Sequence, residues 1–135
     1  MAGAMEVFPD KLWGTEHEAP VGVTDVSIPA ADYKTPFEYC AFYITAGDVA
    51  TSFSVVNAAG SAVTANGTAL TAQILNQGET YVLKEVERGY VVKSDLPLQV
   101  SLITGDKASQ WELRWFALPP TAAWGTSCVC CAACL

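Results

Sequence analysis

Leu98-Gln99-Val100-Ser101-Leu102 decides how this chain is read. Leu98, Val100 and Leu102 fall on one side of an extended segment and Gln99 and Ser101 on the other, with Ile103 the one apolar residue on the polar side. A second stretch repeats the pattern, with Trp111, Leu113 and Trp115 opposing Glu112 and Arg114. Successive side chains of an extended chain point to opposite faces, so period two over five residues marks a half-buried antiparallel strand. Working toward the N-terminus, the same period recurs. Residues 37–45 place Cys40, Phe42 and Ile44 against Tyr39, Ala41 and Tyr43, and residues 51–58 set Phe53 and Val55 against Ser52 and Ser54.

Between these segments lie short connections. Gly47-Asp48 is expected to turn the chain, Asn57-Ala58-Ala59-Gly60 to turn it again, and Asn66-Gly67 to form a two-residue hairpin, since both positions tolerate positive φ. Residues 62–65 and 68–75 flank that hairpin. Residues 80–87 and 90–93 flank Arg88-Gly89, and residues 21–29, rich in β-branched side chains, read as an earlier strand. Nothing shows a helical period or a strand–helix alternation. The expected fold is all-β: an antiparallel β-sandwich of about eight strands, over residues 21–120. Residues 1–20 read as an extended N-terminal arm, and 121–135 as a cysteine-rich C-terminal arm.

The chain has 135 residues, 51% hydrophobic and 16% charged, enough for one domain with a buried core and too apolar for disorder. Seven basic against fourteen acidic residues give a net charge of −7. Without a Lys/Arg cluster, no nucleic-acid contact is expected, because phosphate binding rests on basic side chains. No apolar run has membrane-spanning length. The opening Met1-Ala2-Gly3-Ala4-Met5-Glu6-Val7 lacks the basic start and apolar run of a signal peptide. Asn66-Gly67-Thr68 is a sequon that would accept a glycan at Asn66 in a eukaryotic secretory route.

One tripeptide brackets the body: Trp13-Gly14-Thr15 before it and Trp124-Gly125-Thr126 after it. Together with Gln77-Gly78-Glu79, Ser94-Asp95-Leu96-Pro97-Leu98 and Leu118-Pro119-Pro120, these copies resemble the repeated module of the IgG Fc-binding protein N-terminal family, over roughly residues 10–127. The resemblance implies an extracellular or surface β module with adhesive or mucus-like roles and no catalytic residues. Two departures stand out. His17 and Cys128 occupy places where the family usually carries an aromatic tyrosine, and after Thr126 the chain turns into cysteines. In physical terms, a tryptophan ring plugs a sandwich end while glycine admits a sharp exit. Asp95-Leu96-Pro97 reads as a turn in which Pro97 opens a strand.

Candidate chemistry is sparse. Cys128, Cys130, Cys131 and Cys134 crowd the tail. Cys131 and Cys134 have metal-binding spacing, but Cys128 and Cys130 stand too close for a usual zinc knuckle, so no metal is expected. The plainest reading is an apolar terminal strand of small side chains, followed by intersubunit disulfides, since five cysteines is an odd number. His17, the only histidine, lies between Glu16 and Glu18 and is expected to be exposed. Glu85 and Glu87 are expected on one strand face, as solvated residues rather than calcium ligands. Trp111 and Trp115, with Tyr43, Tyr81 and Tyr90 nearby in the pattern, suggest a sugar-stacking platform, although cross-strand pairing explains them more simply.

No nucleophile–base pair, phosphate loop or cofactor motif is present in this pattern, so the expectation is a non-enzyme without a cofactor. The leading functional expectation is a structural subunit that assembles with copies of itself through its terminal segments. Strand exchange or disulfides would join the copies into an extracellular or surface fibre, sheath or adhesive layer. Trp13, Gly14, Thr15, Trp124, Gly125, Thr126 and the tail cysteines would form the interface. The alternatives are a virion component (capsid, decoration or fibre) and a glycan-binding module.

Overall fold

A computed structural model describes residues 7–23, 38–105 and 114–125, and its regular structure is almost wholly β. Nine strands are present among the described residues: β1 (Gly14–Glu18), β2 (Tyr39–Ala46), β3 (Thr51–Val56), β4 (Thr64–Ala65), β5 (Thr68–Ala69), β6 (Gln73–Leu75), β7 (Thr80–Lys84), β8 (Val91–Gly105) and β9 (Arg114–Leu118). Two short 3₁₀ turns, Asp10–Leu12 and Thr121–Ala123, precede β1 and follow β9. Seven strands make one curled antiparallel sheet, and β4 and β5 a small second one.

The stretch from Leu98 to Leu102 lies in β8, the 15-residue strand on which the rest is built. Residues 91–93 of β8 pair with both β1 and β3, and residues 100–104 with both β2 and β9. A strand has two edges, so β2 and β3 lie in series along one, and β9 and β1 in series along the other. Both β2 and β3 run antiparallel to β8, so the chain does not reverse between them. Gly47-Asp48, expected as a turn, instead bridges two collinear strands.

Asp95-Leu96-Pro97 departs from expectation in the same way. It lies inside β8 rather than forming a chain reversal. The ladder to β3 ends at Ser94, the ladder to β2 begins at Leu98, and β1 skips from Lys93 to Leu98. This unpaired interval is the corner at which the sheet curls. Local hydrogen bonds replace the ladder there: Ser52 N–H donates to Asp95 Oδ1 (2.8 Å), and Ser94 Oγ donates to the Leu96 carbonyl (2.7 Å). Pro97 fits because no ladder bond is asked of its nitrogen.

Alternation places the core inside the curl. Phe42, Ile44, Phe53, Val55, Val92, Leu98, Val100 and Leu102 are all buried in one cluster. Ile103, apolar on the polar side, is buried on the opposite face of β8, flanked across the ladders by Ala41 and Trp115. The Asn66-Gly67 hairpin forms with φ of 51° and 80°, but its strands are only two residues long. The chain then returns through β6 to the second edge of β3.

Three further readings need correction. Residues 14–18, expected within an arm, form β1. Their alternation is hidden because the one fully inward side chain is a histidine and its neighbours are carboxylates. β7 stops at Lys84 because Glu85 adopts a φ of 57°, which breaks the alternation. The ladder then slips by one: Ala41 faces Lys84, whereas Val86 N–H donates to the Cys40 carbonyl at 3.1 Å. Glu85 and Glu87 therefore do not share a strand face. The strand expected over 21–29 is described only to residue 23, where Val21 and Val23 pack against the core.

Candidate functional site

The two Trp-Gly turns meet at one pole of the molecule, where Gly14 packs on Pro120. Each is reached through the same local conformation: a proline near φ −61° and ψ 149° (Pro9) or φ −62° and ψ 148° (Pro120), one 3₁₀ turn, then an extended tryptophan. The hydrogen bonds correspond. Leu12 N–H donates to the Pro9 carbonyl and Trp13 N–H to that of Asp10, as Ala123 and Trp124 donate to those of Pro120 and Thr121. Sequence reading found the tripeptide; the structure extends the repeat to Pro-x-x-x-Trp-Gly, visible in hindsight as Pro9 and Pro120 at equal spacing.

The copies differ in how their rings are held. Trp13 is half-buried, donates Nε1–H to the Phe8 carbonyl at 2.8 Å and lies beside Gly47. Trp124 is 46% exposed. Between the copies the packing is close: Gly14 sits so tightly on Pro120 that a β-carbon there would collide with the proline ring. Thr121 Oγ1 donates to Glu16 Oε1 at 3.1 Å, and Lys93 pairs with the other Glu16 oxygen at 3.4 Å. Thr15 and Gly125 are exposed. Thr126, Cys128, Cys130, Cys131 and Cys134 lie outside the described residues, whereas Cys40 is a buried thiol in the core.

His17 closes this junction, and the expectation of an exposed histidine is overturned: it is 1% exposed. The end of β9 and the start of β1 abut along β8 at Leu98 and Val100, and the imidazole fills the join. Its Nδ1 stands 3.1 Å from the Leu118 carbonyl, and its Nε2 3.2 Å from those of Gly14 and Leu98. Burial lowers the pKa below its ordinary 6.5, and the three carbonyls pull the other way. Its hydrogen-bonding partners among the described residues are backbone carbonyls of β1, β8 and β9, so the ring ties these three strands together.

The aromatic residues do not form one platform. Trp115 is 36% exposed and packs against Tyr43 with centroids 5.2 Å apart, a cross-strand pair over β8. Phe116, 47% exposed, faces away on the same edge strand, and Trp111 lies outside the described residues. Tyr81 packs against Phe53 (5.3 Å) at a different place. Tyr81 and Tyr90 line a cleft of about 500 Å³ between the Asn66-Gly67 hairpin and the end of β7, with Lys84, Glu85 and Glu87 around it. Sequence reading missed this cleft, because its walls come from separate turns with no motif of their own. Asn66 is exposed at the hairpin tip.

Among the described residues, no three His, Cys, Asp or Glu side chains gather as a metal site, and no helix is long and apolar enough to cross a membrane. No protein-family model matches the chain, and neither a curated protein nor a solved structure matches it.

Proposed function

We propose that this protein is a non-catalytic structural subunit that assembles with copies of itself through the pole bearing the two Trp-Gly turns. The observation that carries this reading is the matched pair of turns with unequal seats. Trp13 has a seat in its own domain and hands the chain to β1. Trp124 stands in the same conformation with 46% of its surface exposed, so a neighbouring subunit supplies the missing seat. β9 is an edge strand whose outer side has no partner among the described residues, and it exposes Trp115 on one face and Phe116 on the other. Exposed aromatic side chains beside an open strand edge favour association between subunits. The resemblance to Fc-binding-type surface modules points the same way, toward an extracellular or surface fibre, sheath or layer.

Negative-stain electron microscopy of the purified full chain, with and without reductant, tests this reading. Filaments, sheets or closed oligomers are expected, and reductant-sensitive ones if tail disulfides contribute. Isolated single domains under both conditions would sink it.

A further inference from the structure

The two non-glycine residues with positive φ among the described residues are Asn66 (51°) and Glu85 (57°), and both line the same cleft. Asn66 has an ordinary reason, since it begins a hairpin turn that requires that conformation. Glu85 has none of the usual exemptions. Glycine or asparagine adopts the left-handed region at lower cost, and strained residues of this kind concentrate where a ligand is held. At Glu85 the backbone bulges, ends β7 and brings the strand end against the cleft.

The remaining walls point to a chemistry. Tyr81 and Tyr90 are half-buried, their inner sides packed on the core, so both rings are fixed before any ligand arrives. A tyrosine held this way offers an apolar body with a polar tip. Glu87 lines the same cleft as Tyr90, whose pKa is raised by burial and then by the charge of Glu87. Lys84 adds a donor, and Asn66 an amide. At about 500 Å³ the cleft falls within the range of small-molecule sites. Two carboxylates against one ammonium argue against an anionic ligand, and the polar rim argues against a purely apolar one. What fits is a molecule with flat apolar faces and many hydroxyl edges.

We infer that the cleft between the Asn66-Gly67 hairpin and the Lys84–Glu87 bulge is a binding site for a neutral saccharide of one or two rings, with Tyr81 and Tyr90 against the sugar's apolar face and Asn66, Lys84 and Glu87 on its hydroxyls. Neither Trp115 nor Tyr43 lines this site, and it is independent of assembly through the Trp-Gly pole.

The test is a titration of the ¹⁵N-labelled full chain with maltose, lactose and N,N′-diacetylchitobiose, followed by amide chemical shifts. At least one sugar produces saturable shifts at Asn66, Val82, Lys84, Glu85 and Tyr90, with a dissociation constant on the order of 1 mM. Glu87→Gln, which removes a charged hydrogen-bond partner, and Tyr90→Leu, which removes the flat ring, each weaken that binding roughly tenfold. Amide shifts distant from the cleft stay unchanged in both variants, showing an intact fold. The inference is overturned by the absence of saturable shifts with all three sugars, by shifts centred on Trp115 and Tyr43 instead, or by full affinity in both variants.

Discussion

Acidification through the ordinary histidine range will destabilise this protein, and His17 will be the cause. The ring is buried at the join of β9, β1 and β8, and burial holds its pKa below 6.5 despite three nearby carbonyls. A neutral imidazole carries a single N–H, so it donates toward Leu118 or toward Gly14 and Leu98, but not both at once. With the folded pKa depressed, the unfolded chain binds a proton that the native chain does not, at any pH between the folded value and 6.5. The stabilisation is therefore complete above that range and is lost as pH falls through it. The slope for one group cannot exceed about 1.4 kcal/mol per pH unit. Against a total stability of about 5–15 kcal/mol for a domain, that is a readable change. Urea unfolding followed by tryptophan fluorescence at about pH 7.5, 6.5 and 5.5 stays above the range in which ordinary carboxylates protonate. The wild type should lose stability across the lower interval, while His17→Gln, the chain's only histidine removed, should show no such slope. The variant should also be weaker by about 1–3 kcal/mol at the upper pH, because a buried polar contact is lost. Stability that holds or rises on acidification would refute the reasoning, since the carbonyls would then outweigh burial and hold the ring as a cation. An equal slope in His17→Gln would refute it too.

Gly14→Ala should cost about 1–3 kcal/mol by driving a methyl group into Pro120, and the cost should shrink in a Pro120→Gly background; an additive double mutant would show that the two do not touch as described. Gly22→Ala should be at least as harmful, because the new β-carbon would overlap the backbone of Glu87 and Arg88, which has no rotamer to yield; a thermal midpoint within a degree or so of wild type would contradict that packing. Leu102→Ala, in the C-terminal half of β8, should cost about 2–5 kcal/mol in denaturant unfolding, and a loss well under that would mean that the core does not centre on this strand.

Strand positions were legible in the sequence through their alternation, although in β9 the apolar side at Trp115 turned outward, 36% exposed. Cys40, Phe42 and Ile44, Phe53 and Val55, and Leu98, Val100 and Leu102 are buried as the alternation implies, because a period of two can be satisfied only with that face inward. Direction was not legible. Gly47-Asp48 and Asp95-Leu96-Pro97 carry turn chemistry, yet the first runs beside the second in the gap between the β2 and β3 ladders of β8, and both spend that freedom on a corner, a choice made by the partner strands. Strand β1 was hidden because a histidine takes the place of an inward apolar residue. The tripeptide at each end of the domain was legible, but not that the two turns meet through Gly14 and Pro120. That contact joins residues at opposite ends of the chain, and no local pattern encodes it. The cleft at Tyr81 and Tyr90 was out of reach for the same reason, since its walls are a hairpin and a bulge from separate parts of the chain.

Association between copies through the pole at Trp124 is the central proposal. Sedimentation velocity of the full chain across a concentration series, beside Trp124→Ser, measures this directly. Trp124 is exposed, so its replacement leaves the domain's own core intact. The wild type should rise above the 14.3 kDa monomer mass with concentration, while Trp124→Ser stays at it. A wild type that remains at 14.3 kDa throughout, or a variant that assembles equally well, would contradict the account.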